Sequence, residues 1–291
     1  MTLISFASMK GSPGVTTLAC LVGATWPAGR RVVVAECDSD GGDLAWRFSL
    51  STRTGWLSLA LASRRGDVVR SIEDHLQNLP GGLEVLVGTQ ANGSDVIGRG
   101  SGQEAAHIVC EVAERANSDV IVDLGRLHLE SSETQIWLGH SATVCVVMRS
   151  DAASIGHARD RVRRVRDLCG GSLLLVVVGK GPYSLPEIER FTGVSDIIEI
   201  AEDPSAAAVL TAGRGSERRL ARSELVKSAR RLAATIAGPA PRMPEQGKTG
   251  ATSRGYASSH GVPPDGEDSG SPAARTGAQT SERALSLQDQ Q

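Results

Sequence analysis

The amino-acid sequence predicts an α/β fold in which a doubly wound, mainly parallel sheet of about seven strands carries helices on both faces. Two observations support this prediction. Apolar segments rich in Val, Ile and Leu alternate with segments of helical character from residue 2 to residue 237, which is the pattern of successive βαβ units. The apolar segments lack the polar alternation of half-exposed strands, so they suit parallel strands that are buried on both faces.

The elements of the first half follow from their apolar runs. Leu3 to Ala7 predicts the first strand, and a helix-like run from Val15 to Ala24 predicts the first helix. Val32 to Cys37 predicts a buried strand that leads into acidic residues. The predicted order is strand 2–8, helix 15–25, strand 31–37, a switch loop at 38–46, a helical patch near 56–62, strand 83–87 and helix 102–116.

The second half repeats the alternation. Residues 118–123 predict a strand that ends in an acid, and Ala142 to Met148 and Leu173 to Val178 are two more β-branched, apolar strands. The predicted order is strand 119–123, a helix near 131–139, strand 142–148, helix 152–169, strand 172–178, helix 185–192, strand 197–200, and helices 204–211 and 223–236.

Composition and charge narrow the class of protein. The formal net charge of -2 gives no general attraction to nucleic acid. No segment approaches the ~20 apolar residues that span a bilayer, so we expect no integral membrane segment. The cysteines form no C-x-x-C pair, so we expect reduced core residues of a cytoplasmic protein rather than disulfides or a zinc site. They are Cys20, Cys37, Cys110, Cys145 and Cys169.

The composition changes after residue 237. Residues 238–291 are rich in Gly, Pro, Ser, Gln and charged residues and nearly lack aromatic and β-branched residues. Such a segment buries too little apolar area to offset its chain entropy. The sequence therefore predicts one folded domain over residues 1–237 and a disordered, low-complexity tail over residues 238–291.

A glycine-rich turn joins the first strand to the first helix. Residues 8–17 read Ser-Met-Lys-Gly-Ser-Pro-Gly-Val-Thr-Thr. Backbone N–H groups in such a turn, together with the helix N-terminus, form a cradle for phosphate. The common phosphate-loop pattern has Lys and then Ser or Thr after its last glycine. Here Val15 and Thr16 follow Gly14, and a lysine, Lys10, stands at the front of the loop instead.

Acidic residues follow two of the predicted strands. Asp38 comes after strand 31–37, and Asp123 ends strand 119–123. The carboxyl ends of parallel strands meet at one rim of a sheet, where ligands bind. We therefore expect Thr16, Asp38 and Asp123 to form an outer shell for Mg²⁺, an ion that binds oxygen ligands and keeps several waters.

Residues 8–17 resemble the deviant Walker A motif of the MinD/ParA family of ATPases. Lys10 takes the place of the family's signature lysine, which reaches nucleotide across a dimer interface. Thr16 matches the magnesium-binding hydroxyl, and Thr17 matches the next phosphate-contacting hydroxyl. Val15 replaces the lysine that contacts the terminal phosphates in the same subunit, so the loop is degenerate. The matched loop glycines are Gly11 and Gly14.

Further segments resemble motifs of the same family, and the resemblance covers residues 2–236. Asp38 matches an aspartate associated with the attacking water and the magnesium shell, and Gly42 to Ala45 is closest to the pilus-assembly branch. Residues 118–125 resemble the Walker B strand, whose acid holds magnesium through water. The family's Asn-Arg pair beside adenine is not matched, because Gly179-Lys180-Gly181 stands there.

The resemblance implies a P-loop NTPase-like fold that binds ATP or ADP with Mg²⁺. It implies Asp38 as the catalytic residue and Thr16, Asp38 and Asp123 as the metal site. It also implies a nucleotide-responsive homodimer that works with a protein partner to position cargo in chromosome partitioning or in pilus or secretion assembly. The nucleotide-binding residues that it implies are Lys10, Gly11, Ser12, Gly14, Val15, Thr16 and Thr17.

Alternatives to this function stay open. With Val15 in the loop, the chain is a weak ATPase or a non-catalytic pseudo-ATPase scaffold for a pilus or secretion apparatus. A nonspecific DNA-binding protein is a further alternative, because phosphate contacts give affinity without reading sequence. The basic residues that could contact DNA lie on predicted helix 152–169, and they are Arg159, Arg161, Arg163, Arg164 and Arg166. Asp160 and Asp167 on the same helix favour a solvated face over a DNA-binding surface.

Overall fold

The computed structural model describes residues 2–10, 14–27, 29–65, 72–89, 103, 106–111, 118–212 and 216–238. All of them belong to one unit, Met1–Arg242. The predicted disorder of the tail lies outside the described residues from residue 239 onward and stays a prediction. Gly11 and Ser12, which were predicted to bind nucleotide, also lie outside, as does most of predicted helix 102–116, of which residues 106–111 are helical.

The strands form one sheet with the predicted architecture. They are β1 (Leu3–Ser8), β2 (Val32–Glu36), β3 (Gln77–Asn78), β4 (Glu84–Leu86), β5 (Asp119–Arg126), β6 (Thr143–Arg149), β7 (Ser172–Val178) and β8 (Ile197–Ile200). In the described part of the chain the order is β3-β4-β2-β5-β1-β6-β7-β8, and each neighbouring pair is parallel except β3 with β4. The doubly wound, mainly parallel sheet is confirmed.

The number of strands differs from the predicted seven. The described sheet has eight strands, because β3 pairs with β4 in the antiparallel direction at the edge. Strand β3 has only two residues, Gln77 and Asn78, and both are polar, so it leaves no apolar pattern in the sequence. β5 also runs on to Arg126, three residues past its predicted end at Asp123.

The helices agree with the prediction at most positions. They are α1 (Val15–Ala24), α2 (Leu44–Phe48), α3 (Trp56–Arg64), α4 (Ser132–His140), α5 (Ala152–Leu168), α6 (Leu185–Thr192), α7 (Pro204–Ala212), α8 (Glu217–Arg222) and α9 (Glu224–Ala237). The sequence predicted a switch loop over residues 38–46, and the structure instead begins α2 at Leu44. Both α2 and α8 are too short for a periodic pattern to reveal them.

Apolar side chains cover both faces of the sheet, as the continuous apolar strands predict. Leu3 and Ala7 of β1 belong to a cluster with the buried sides of α3, α4, α5 and α6. Ile4 and Phe6, on the opposite face of the same strand, belong to a second cluster with α1, α2 and α9. Successive residues of a strand therefore enter different cores, which fixes the register of each strand.

Two expectations from composition can be compared with the described residues. The five cysteines form no disulfide, and four of them are buried, whereas Cys169 is partly exposed. No helix in the described ranges has both the length and the apolar character that crossing a lipid bilayer requires.

Asp119 ties the amino end of β5 to the connection between α1 and β2. Its carboxylate accepts a hydrogen bond from Trp26 Nε1 at 2.9 Å and forms an ion pair with Arg30 at 2.7 Å. The Asp119 side chain is almost fully buried, and Arg30 also donates to the carbonyl of Ala237 at the end of α9. One buried carboxylate thus joins three distant parts of the chain.

We expect Asp119→Ala to lower the free energy of unfolding by about 3 kcal/mol, because the Trp26 N–H and the Arg30 guanidinium lose a buried partner. Urea denaturation measures the effect. Asp119→Asn keeps an acceptor for Trp26 and should cost less, and the exposed Asp167→Ala is the matched control, with a change within about 0.5 kcal/mol. A change in Asp119→Ala no larger than in this control would contradict the assigned role.

Candidate functional site

α1 begins at the end of the glycine-rich turn without a side-chain cap from the described residues. Gly14, which precedes it, has φ 84° and ψ 36°, a left-handed conformation that glycine adopts without strain. By contrast, Asp151 caps α5 and Ser223 caps α9 through their side-chain oxygens. The first N–H groups of α1 and the positive end of its dipole can therefore serve an anion.

The residues around Gly14 differ in burial and in charge. Val15 is only 5% exposed and packs in the core beneath α1, so its side chain brings no charge to the turn. Thr16 and Thr17 are half-buried, and Lys10 is exposed. Of the residues predicted to bind nucleotide, Lys10, Gly14, Val15 and Thr16 line one common cavity.

Glu36 is buried at the carboxyl end of β2 and fastens two loops. Its Oε1 accepts hydrogen bonds from the N–H groups of Asp43 at 2.8 Å and Leu44 at 2.9 Å, and its Oε2 accepts one from Gly88 at 2.9 Å. Burial raises the pKa of Glu36, while these N–H groups lower it. An added Cβ on Gly42 would overlap the Glu36 carboxylate, so the loop passes directly over it.

Asp38, the predicted catalytic residue, lies against Gly125 near the end of β5. Gly125 has φ 53°, and an added Cβ there would overlap the Asp38 carboxylate. The N–H of Asp40 donates to Asp38 Oδ1 at 2.9 Å, and the exposed Asp40 side chain lies 3.2 Å from His128 Nε2. Burial raises the pKa of Asp38.

Asp123 is the most buried acid of the site. Strand pairing sets it beside Glu36 on β2, and its exposed fraction is 0%. Burial raises the pKa of Asp123 to about 7, whereas hydrogen bonds from the Thr16 side chain and the Gly125 N–H lower it. The Gly125 N–H lies 3.0 Å from Oδ1, but Oδ2 is buried and no described residue donates to it. A buried, unpartnered carboxylate oxygen calls for an explanation, and a bound ion or water is one.

The predicted metal residues come together around Gly125. The Asp38 carboxylate lies where a side chain on Gly125 would be, and Asp123 accepts the Gly125 N–H at Oδ1. The Thr16 side chain acts on the same carboxyl of Asp123 by lowering its pKa, against the larger effect of burial. Within the described ranges, no group of three His, Cys, Asp or Glu side chains is arranged to hold a metal. Two carboxylates and one hydroxyl fit Mg²⁺, which completes its coordination with water and phosphate oxygens.

A cavity of about 380 Å³ is lined by Thr16 and Asp38 but not by the buried Asp123. Cationic side chains line it together with carboxylates, so it offers partners both for an anion and for a divalent cation. Its charge pattern and the start of α1 suit a magnesium-bound phosphate group. The lining residues are Ser8, Lys10, Gly14, Val15, Thr16, Asp38, Asp40, Arg47, Gly125 and Arg126.

Arg47, a residue that the sequence did not single out, also lines this cavity. It lies on α2, where its Nη1 donates to Thr17 Oγ1 at 3.2 Å and its Nη2 donates to Asp43 Oδ2. The preceding residue, Trp46, is 71% exposed. In the sequence Arg47 is only an arginine four residues after Asp43. Its contact with Thr17 follows from the position of α2 next to the start of α1.

A second cavity of about 380 Å³ also reaches Gly14, on the side of Thr17. Its walls include Leu18 and Leu21 of α1 and Ile200 of β8, with an ion pair of 2.8 Å between Arg149 and Glu202 at its edge. An apolar slot with a few polar groups is typical of small-molecule sites. The loop of Gly179, where the family's adenine-side pair is missing, packs against Glu202.

Three of the five arginines of α5 have partners on the protein surface. Arg161 donates to the carbonyl of Met9 at 2.7 Å, Arg164 forms an ion pair with Glu130, and Arg166 donates to the carbonyl of Gly193 at 2.7 Å. These contacts fit the interpretation of α5 as a solvated face. DNA binding stays a prediction.

Solved structures with the same fold include ATPases of one group. A ParA family ATPase from Chlorobium tepidum TLS superposes with a TM-score of 0.66 at 17% identity, covering 80% of this chain and 97% of that chain. A chain of the MinC:MinD cell division protein complex of Aquifex aeolicus gives 0.62 at 19% identity, covering 84% and 99%. The septum site-determining protein MinD of Pyrococcus horikoshii OT3, complexed with Mg-ADP, gives 0.63 at 16% identity, covering 80% and 94%.

The similarity concerns the fold. No protein-family model and no curated protein matches the chain. At these identities the superpositions show that the described domain has the fold of MinD and ParA ATPases, over nearly their full length.

We expect Glu36→Ala to lower the free energy of unfolding by about 3 kcal/mol or more, because it leaves three N–H groups, two of them buried, without an acceptor. Glu36→Gln keeps one acceptor oxygen and should lie between. Chemical denaturation checks both variants, with Glu130→Ala as control, since its ion pair with Arg164 is exposed and screened by water. A stability loss in Glu36→Ala below about 1 kcal/mol would refute the proposed fastening of the two loops.

The raised pKa of Asp123 predicts a pH dependence of stability without added metal. A carboxyl whose pKa is higher in the folded chain favours the fold below about pH 4, and that contribution is lost as the pH rises through about 7. Asp123→Asn should therefore be more stable than the wild type at pH 8, by about 2–4 kcal/mol, and close to it at pH 4. Thermal unfolding between pH 4 and pH 8 measures this, with Asp167→Asn as control. Parallel profiles of wild type and Asp123→Asn would contradict it.

Proposed function

We propose that the chain is a MinD/ParA-like nucleotide-binding protein that takes ATP or ADP with Mg²⁺ in the cavity at the carboxyl end of the sheet. The observation that carries this proposal is the buried, unpartnered Oδ2 of Asp123 beside a cavity lined by Lys10, Thr16 and Asp38. An Mg²⁺ shell would supply the partner that this oxygen lacks. The shared fold with Mg-ADP-bound MinD supports the same assignment.

Each residue has a distinct part in this proposal. The N–H groups at the start of α1 and Lys10 hold the phosphates, and the Thr16 hydroxyl with Asp123 holds the magnesium shell. Asp38, fixed by Gly125 and the Asp40 N–H, orients a water toward the terminal phosphate. Thr17 contacts phosphate beside Thr16. The second cavity at Gly14 continues from the phosphate position and takes the nucleoside.

The proposed biological role is that of a nucleotide-responsive homodimer that positions cargo. Lys10 is exposed, and its charge reaches Asp151 at the start of α5, where it helps the Ser154 N–H to lower the pKa of that carboxyl. An exposed lysine at the mouth of the cavity suits a contact with nucleotide in a second copy. Partitioning and pilus or secretion assembly are the proposed settings, with a protein partner.

A non-catalytic scaffold is the second candidate, and the burial of Val15 favours it. The position after Gly14 contributes to the core and presents no cation to phosphate. Loss of one charge-assisted bond to phosphate weakens affinity by roughly tenfold to a hundredfold. In this second case the fold would serve as an interaction surface with weak nucleotide binding or none.

We expect weak binding of ATP with Mg²⁺, and we expect Lys10→Ala to weaken it about tenfold further because a charge-assisted phosphate contact is lost. Isothermal titration calorimetry at fixed salt measures both affinities. Lys227→Ala, which removes an exposed lysine from α9, is the control and should bind as the wild type does. Equal affinities of wild type and Lys10→Ala would remove Lys10 from the site, and no binding to the wild type at millimolar nucleotide would favour the scaffold.

A further inference from the structure

We propose that Arg47 is a phosphate-binding residue that supplies, from the neighbouring helix α2, the cation missing after Gly14. This inference rests on the proposed nucleotide site and adds to it a residue that no sequence motif marks. It makes α2 part of the ligand site rather than only part of a loop.

The loop lacks a buried cation of its own in the described part of the chain. Val15 is uncharged and faces the core. Apart from Arg47, the cationic side chains that line the cavity are Lys10 and Arg126, and both are exposed to solvent. Exposed cations contribute less to binding, because water screens them more effectively than it screens partly buried ones. A triphosphate held only by exposed groups would be bound weakly.

Arg47 occupies the position from which a partly buried cation can act. Its side chain is 20% exposed, and its Nη1 lies 3.2 Å from the hydroxyl of Thr17 in the first turn of α1. Burial raises the pKa of the Cys20 thiol, and the positive charge of Arg47 acts in the opposite direction. Cys20 lies one turn after Thr17 on α1. The guanidinium therefore lies at the N-terminal part of α1, where Gly14 and Thr16 line the same cavity.

The remaining hydrogen-bonding capacity of Arg47 suits phosphate. A guanidinium has five N–H donors in a planar fork that matches phosphate oxygens. Two of its nitrogens donate to Thr17 and Asp43, and no further bond to a described residue competes with a ligand. Asp43 directly precedes α2 and lies four residues before Arg47, so their ion pair orients the Arg47 side chain before any ligand arrives.

The position of Arg47 links the ligand to the loop that Glu36 holds. Arg47 is three residues from Leu44, whose N–H donates to Glu36, and four from Asp43, whose N–H does the same. A phosphate bound to Arg47 would therefore be connected, through α2, to the buried carboxylate of Glu36 on β2.

The test is isothermal titration of ATP with Mg²⁺, and of AMP, into wild type, Arg47→Ala, Arg47→Gln and Arg53→Ala. We expect Arg47→Ala and Arg47→Gln to bind ATP about tenfold to a hundredfold more weakly. Arg53 is exposed in the following loop, so Arg53→Ala should match the wild type. Arg47→Gln retains a donor for Thr17 and guards against a variant that fails to fold, which circular dichroism checks.

The AMP titration separates a phosphate contact from general loosening of the site. Loss of a contact to the outer phosphates lowers the ratio of ATP to AMP affinity, whereas loosening weakens both nucleotides together and would overturn the inference. Wild-type binding with unchanged ATP affinity in folded Arg47→Gln would also overturn it, while the proposed function would stand. Absence of any ATP binding to the wild type would instead end the proposed function and this inference together.

Discussion

The hydrogen bonds to Glu36 are the interaction on which the arrangement of the site depends. One buried carboxylate accepts bonds from the residues that begin α2 and from the loop after β4. Because these loops cross at the carboxyl end of the sheet, Glu36 decides where α2 lies, and α2 decides where Arg47 reaches α1. A buried acid costs free energy unless backbone donors satisfy it, and here three do.

On the neighbouring strand β5, Asp123 differs from Glu36 because only one of its carboxylate oxygens has a described donor. Its Oδ1 is satisfied by the Gly125 N–H, but no described group bonds Oδ2, and burial raises its pKa into the neutral range. Two adjacent acids in register therefore have different parts. Glu36 fastens two loops, whereas no described residue donates to Oδ2 of Asp123.

Much of the fold could be predicted from the sequence, because its strands are continuous apolar runs that only a sheet covered on both faces can bury. β3 could not be predicted, since two polar residues leave no pattern, and α2 is too short for helical periodicity. Within the site, residues next to strand ends, such as Asp38 and Asp123, could be predicted from the rule that strand ends share one rim. Arg47 could not, because its contact with Thr17 depends on where α2 lies relative to α1 and not on a spacing along the chain.

The four tryptophans of the chain divide into two optical classes. Trp26, Trp56 and Trp137 are at most 9% exposed and lie in the apolar clusters, whereas Trp46 is 71% exposed on α2, next to Arg47. Indole fluorescence shifts to longer wavelength in water, so the blue part of the emission reports the packed cores. The red part reports Trp46, whose chain neighbour Arg47 lines the cavity. The unmodified protein thus contains separate emission signals for its packed cores and for the short helix α2.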